Sequence, residues 1–240
     1  MGVALIVVPF FGGPLGITRR AFVLTTTAVA APFTVPTLLA MPTLPAMEVY
    51  ALIAKEAVLG LILGFGASGL FWAIQSAGEL VDLQRGATSA SVYNPLFGSI
   101  VSPMGNLFLR LTTVVFFATG GFNLFLSAVL TTYELYPVTQ LLPAFNADAA
   151  PRFLGLMGTY FKLTILYAAP FLIVFLLTDL GLGLMNRFVP QLNIFFFSMP
   201  VKSALAIFLM FFYTTVLVYA MGDEMFSEAS LLSFLKGIFQ

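Results

Sequence analysis

From Met47 to Leu83 the chain carries no proline, while Pro45 stands just before this stretch and Gly86 just after it. Proline at the entrance and glycine past the exit are the signs of one continuous helix. At ~1.5 Å per residue it would be on the order of 55 Å long, well beyond a bilayer's hydrocarbon core. Part of such a helix must lie against protein. At about 100° per residue, Gly60, Gly64, Ser68, Trp72, Gln75, Glu79 and Asp82 fall on one stripe, small at one end and polar at the other. The stripe predicts a protein partner in place of lipid.

The helix runs into Ala77–Ala90, AGELVDLQRGATSA, which sets Glu79, Asp82 and Arg85 beside an apolar run. Charges in hydrocarbon cost roughly 2.5 to 3.5 kcal/mol each, so they face other protein or a wet cavity. Composition makes that setting the expected one. Of 240 residues 60% are hydrophobic, 27 of them Phe, and 8% are charged against roughly 25% in soluble domains. With a mean hydropathy of +1.03 the chain reads as an integral membrane protein or a subunit buried in a large assembly.

Ten basic and ten acidic residues balance, and no basic patch is present to neutralise phosphates, which argues against nucleic acid as a partner. Cysteine and histidine are absent, removing disulfides, thiolate nucleophiles, imidazole bases and most transition-metal sites. No metal, no cofactor and no catalytic residue is expected, and any chemistry would rest on carboxylates.

In chain order, Val3–Phe11 is too short to span and is closed off by Pro9, Gly12, Gly13 and Pro14; it lacks the charged start and cleavage site of a signal peptide. Ala21–Ala40 is long enough to span but carries Pro32 and Pro36. After the long helix, Arg85–Gly105 has the composition of a packed loop joining a helical hairpin. Asn106–Leu130 is the next span, with a break expected at Gly120-Gly121. Tyr133–Pro151 reads as loop, Tyr160–Thr178 as a span with Pro170 as a kink candidate, and Leu205–Met221 as the last span. Between these two, Asp179–Lys202 mixes charges, prolines and Phe195, Phe196 and Phe197; it is expected to form a re-entrant or protein-buried hairpin. The tail from 223 to 240 is amphipathic, with Leu231, Leu232, Leu235, Ile238 and Phe239 on one face.

Three constellations bear on chemistry. Gly64-Phe-Gly66-Ala-Ser-Gly69 has the GxGxxG spacing, but a dinucleotide site needs a strand before it, and here it sits mid-helix, where packing explains it. Glu79 and Asp82, three apart, allow a shared proton-relay site, a salt bridge to a neighbouring subunit, an ion pair of Asp82 with Arg85, or a helix-end cluster solvated at the rim. Lys55-Glu56, Asp179 with Arg187, and Lys202 pose a choice between rim charges and buried contacts; only Lys202, between Pro200 and a long apolar run, is expected to be buried, if its loop is re-entrant. Gln191 and Asn193 are placed to satisfy freed backbone groups nearby, and the Phe run is read as lipid or core packing before a gate.

At AGELVDLQRGATSA, Asn94-Pro95-Leu96, Ser102-Pro103-Met104-Gly105-Asn106 and DLGLGLMNRFVPQLNIFFFSMPVK, in that order, the sequence resembles the FliR, SpaR, YscT and HrcT family of type III export-gate proteins. The resemblance runs from Pro9-Phe10-Phe11-Gly12 to the tail, and LVDLQRGA looks like the virulence-injectisome branch rather than the flagellar one. It implies an all-α, hydrophobic, multi-helix membrane-type protein of kinked hairpins, a single domain over 1–240, packed into a helical gate. Implied partners are two other hydrophobic subunits, of the FliP/SctR and FliQ/SctS kinds, further export-apparatus membrane proteins, the lipid bilayer, and unfolded proteins in transit. The implied setting is the bacterial inner membrane, with part of the protein raised towards the periplasm. Energy would come from an associated ATPase and the proton-motive force, not from this chain. The matched positions Glu79, Asp82, Gln84, Arg85 and Gly86 are implied to pack subunits or line the gate. Asp179, Arg187, Pro190, Gln191, Asn193, Pro200 and Lys202 are implied to form the hairpin near the closure point, beside Phe195, Phe196 and Phe197. Relatives have a fuller hydrophobic segment before PFFG, which raises a truncated first segment as an expectation.

Two rival classes remain on the residues alone. A secondary transporter would use the broken helices and intramembrane carboxylates, but one half of the chain does not repeat in the other. An intramembrane enzyme is disfavoured by the missing His and Cys and by acids without metal-ligand spacing.

Overall fold

A computed structural model describes residues 45–87, 102–135, 149–189 and 193–224, with five isolated positions between 28 and 36. Every element there is helical: α1 (Ala46–Gln84), α2 (Pro103–Ala118), α3 (Gly121–Leu135), α4 (Ala149–Phe188) and α5 (Ile194–Glu224). The readings of Val3–Phe11 and of the amphipathic tail lie outside the described residues, as does most of Ala21–Ala40.

α1 takes nearly the bounds its punctuation demands. The Pro45 carbonyl accepts the first helical bonds, from Glu48 N at 2.9 Å and Val49 N at 3.3 Å, and Glu48 sets a negative charge on the positive helix start. At the far end Gly86 has φ of 81°, the left-handed conformation that closes helices, and its N–H donates to Leu83 O at 3.1 Å. Between α2 and α3 Gly120 does the same at φ 78°, and its carbonyl starts α3 by accepting from Asn123 N at 2.9 Å. The two helices are bent by 73° at this break, where Gly120-Gly121 predicts one.

Several sequence boundaries are corrected. α3 continues to Leu135 and α4 begins at Ala149, so both ends of the expected Tyr133–Pro151 loop are helical. Pro151 falls in the first turn of α4, where the N–H it lacks has no helical acceptor in any case. Asp179–Phe188 is the end of α4 and Ile194–Lys202 the start of α5, so the Asp179–Lys202 stretch is mostly two helix ends meeting. Pro170 and Pro200 both stand inside continuous helices.

α1, α4 and α5 are each long and apolar enough to cross a membrane, and α2 with α3 qualifies as a fourth span only as a bent pair. Their outward faces are apolar too: Phe161, Ile173, Leu177, Leu184 and Phe188 on α4, and Phe208, Phe211, Phe212 and Tyr219 on α5, are exposed. A soluble helix would put polar groups there, so these are surfaces for lipid or protein.

The chain forms two compact units, Met1–Phe71 with Phe116–Gly158 and Glu224–Gln240, and Trp72–Val115 with Thr159–Asp223. In the first, Leu59, Leu63, Phe71, Phe116, Phe125 and Val129 are buried, with Phe71 and Phe116 edge to face at 5.3 Å. Lys55 is buried in that unit and pairs with Glu56 at 3.2 Å, with the Tyr133 hydroxyl near the Glu56 carboxylate. This pair is therefore an interior contact, against the expectation that Lys202 alone is buried. In the second unit Ile74, Ala77 and Val81 of α1 are buried with Phe108 and Thr112 of α2, Phe171 and Phe175 of α4, and Ala206 and Leu217 of α5. Phe171 packs at 6.1 Å against Phe108, the rings tilted by 58°, and edge-on at 5.4 Å against Tyr213.

Candidate functional site

The last turns of α1 form the polar node of the second unit. Its position follows from a close crossing: a Cβ built on Gly78 would stand 2.6 Å from the Met104 carbonyl and from Gly105 N. Only glycine lets the two backbones approach so far. One turn further along α1, Asp82 therefore points at the start of α2.

Asp82 is 1% exposed, and both of its carboxylate oxygens accept hydrogen bonds. Its Oδ2 accepts from Ser102 Oγ at 2.6 Å and from Met104 N at 2.9 Å, while Oδ1 accepts from Arg85 Nε at 2.7 Å. Ser102 Oγ in turn accepts from Gly105 N at 3.0 Å. Ser102 is thus the N-cap of α2, Pro103 the first helical residue without a donor, and the next two N–H groups are both satisfied. The carboxylate also lies at the positive end of the helix, and Arg85 balances it. Of the readings of Glu79 and Asp82, the ion pair of Asp82 with Arg85 is present within the chain.

Glu79 and Asp82 take different hydrogen-bond partners. Glu79 is exposed and accepts from Gln75 Nε2 at 2.9 Å. On the α1 stripe, Gly60, Gly64, Ser68 and Asp82 are buried within this chain itself, whereas Trp72 and Glu79 face outwards. Ser68 Oγ donates back to Gly64 O, a helix-internal bond that removes its hydroxyl from the surface.

The Gln84 side chain is exposed, but its carbonyl, at the C-terminus of α1, accepts from Lys202 Nζ at 3.2 Å. Lys202 is 6% exposed and also donates to Asp179 Oδ2 at 2.6 Å. One cation thus caps α1, tethers α5 to α4, and sits where the helix dipole favours positive charge. Asp179 pairs with Lys202, not with Arg187, which is exposed near the end of α4. Gly86 lies against Met199, 3.1 Å from its Cγ for a built Cβ.

Asn193 is exposed and its carbonyl accepts from Phe197 N at 3.3 Å, which starts α5. Phe196, Phe197 and Pro200 are exposed, and Ser198 between them turns inwards. Pro190, Gln191 and the Phe195 side chain lie outside the described residues. Gly78, Ser102 and Gly105 belong to the site without a periodicity that marks them, although Ser102-Pro103 carries a helix-start signal.

Beside the node, α1, α2 and α4 enclose a groove of about 750 Å³, lined by Gln75, Ser76, Glu79, Leu80, Leu83, Ser102, Asn106, Phe161, Thr164 and Ile165. Thr164 is turned into the protein, donating to Ala73 O at 3.0 Å. Among the described residues no three His, Cys, Asp or Glu are grouped to hold a metal ion. What the site does is join helix ends.

Residues 1–227 match the family described as bacterial export proteins, family 1. The chain belongs to that family. It is 40% identical over 168 residues to the Yop proteins translocation protein T of Yersinia pestis, covering 70% of this chain and 64% of that protein. It is 36% identical to the secretion system apparatus protein SsaT of Salmonella typhimurium over 65% of this chain and 60% of that one. The flagellar biosynthetic protein FliR of Bacillus subtilis is 29% identical over 78% of this chain and 72% of its own length. The match thus spans under two thirds of the two secretion proteins. As a member of this family with several long apolar helices, the chain is a helical protein of membrane type, as its sequence predicts.

Proposed function

We propose that this export protein is a structural and gating subunit of a type III secretion apparatus in the bacterial inner membrane. With two other hydrophobic subunits it builds the gate through which unfolded proteins leave the cytoplasm. It catalyses no reaction; an ATPase and the proton-motive force drive transport. The observation that carries this reading is the family match over residues 1–227, on a chain whose long helices turn apolar faces outwards. The injectisome branch is favoured because the secretion-named relatives are 36% and 40% identical and the flagellar one 29%. Part of the hydrophobic mass is lifted towards the periplasm in the assembled gate, which accommodates helices of 39 and 40 residues. The residues at the α1 terminus and at the start of α5 pack subunits or border the gate.

Native mass spectrometry tests this, on tagged protein produced with its neighbouring hydrophobic subunits and, separately, alone. A hetero-oligomer holding a defined number of this chain is the expected result. A monomer or homodimer indifferent to those partners overturns the reading.

A further inference from the structure

Among the described residues three ion pairs form, Lys55 with Glu56, Arg85 with Asp82 and Lys202 with Asp179, and Glu79 belongs to none of them. It is held by the neutral Gln75 amide, and no Lys or Arg is among the described residues that line the groove it borders. Once the groove is shut off from water, a carboxylate there calls for a countercharge. The groove is also unlike an open wet cleft, because Leu83, Phe161 and Ile165 stand exposed on it and gain from being covered. Gln75, Ser102 and Asn106 add polar groups beside the charge.

We infer that this groove seats a helix of another resident export-apparatus subunit, and that a lysine or arginine on that helix pairs with Glu79. The inference rests on the export-subunit reading above. Charge and shape select this occupant. A phospholipid amine brings a phosphate with it, and the described residues of the groove offer no cation to receive one. An unfolded chain in transit presents a different residue at each step, which leaves the carboxylate unpaired most of the time. A resident helix supplies both a fixed cation and a continuous apolar edge for Leu83, Phe161 and Ile165.

The experiment uses the full chain co-produced with the other hydrophobic export subunits. A photoreactive amino acid at Leu83 is expected to cross-link a peptide of another export subunit that carries a Lys or Arg within a turn of the attachment point. Glu79→Lys is expected to lower the co-purified partner roughly tenfold or more, Glu79→Gln by less, and a Glu in place of the partner's cation to restore assembly with Glu79→Lys. If Glu79→Lys fails to elute as a single species when produced alone, Asn106→Trp replaces it as the deciding variant. It fills the groove without changing charge, and it should abolish the Leu83 cross-link. Cross-links only to lipid or to transported protein, wild-type assembly by Glu79→Lys, or a cross-link that survives Asn106→Trp would each overturn the inference. Wild-type protein that never joins the other subunits overturns instead the export-subunit reading, whereas normal assembly with indifferent Glu79 variants overturns the groove alone.

Discussion

Lys202 and Asp179 form one ion pair with unequal surroundings, and the inequality sets which partner is dispensable. The Asp179 side chain is 41% exposed, whereas that of Lys202 is 8% exposed. Removing the lysine leaves a carboxylate that water can reach and a Gln84 carbonyl short of one bond, a cost of about 1 kcal/mol. Removing the aspartate leaves a buried cation with one carbonyl for company, at about 3 kcal/mol. Lys202→Met should therefore melt closer to wild type than Asp179→Ala in thermal unfolding in detergent, and the double variant should recover part of the Asp179→Ala loss. The reverse order would show that the pair is not limited by the burial of its cation. At Asp82 every oxygen is engaged, so Asp82→Asn, which keeps the shape, should lose about 1 to 2 kcal/mol. Asp82→Ala, which also strips the α2 cap, should lose about 3 or more in the same melts.

At the level of helices, the crossing of α1 over α2 turns on glycines that no hydropathy pattern marks. A methyl at Gly78 meets the Met104 carbonyl and Gly105 N, so Gly78→Ala should cost about 1 to 3 kcal/mol by overpacking, although alanine is the better helix former. Gly183, with nothing within 4 Å of a built Cβ, is the control. Gly183→Ala should be neutral or gain up to about 1 kcal/mol, and equal losses at both positions would remove the crossing argument. The same contrast explains what the sequence could and could not carry. α1 and the Gly120 break are legible because single residues, Pro45, Gly86 and Gly120, act through local backbone geometry. The starts of α4 and α5 were not, because Pro151 and Pro200 read as breakers while a helix tolerates the first in its opening turn and carries the second through its length. The pairing of Lys202 with Asp179 joins residues 23 apart, and the cap from Asp82 to Met104 spans 22, contacts fixed by packing and invisible to periodicity.

For the whole molecule the distribution of burial separates the helices. Half of the most apolar window of α1 is buried within the chain, against 22% for α4 and for α5. α1 is largely covered by its own protein, and α4 and α5 wait on lipid or subunits. The absence of cysteine makes the difference measurable, since a single introduced thiol carries the only label. With Phe211→Cys, at a position 80% exposed, a membrane-permeant maleimide should react readily in the isolated chain. Ala77→Cys, at a position with no exposure, should stay unreacted whether or not partners are present. Assembly with the other export subunits should slow labelling at those α4 and α5 positions that face protein and leave the rest unchanged, so a scan through Phe161, Leu177, Phe188, Phe208, Phe211 and Tyr219 maps the covered side. Uniform labelling at all six after assembly would mean that lipid covers both helices and that the subunits meet this chain elsewhere. Protection confined to one stripe would give the direction from which they arrive, with the reactivity of Phe161→Cys reporting on the groove beside Glu79.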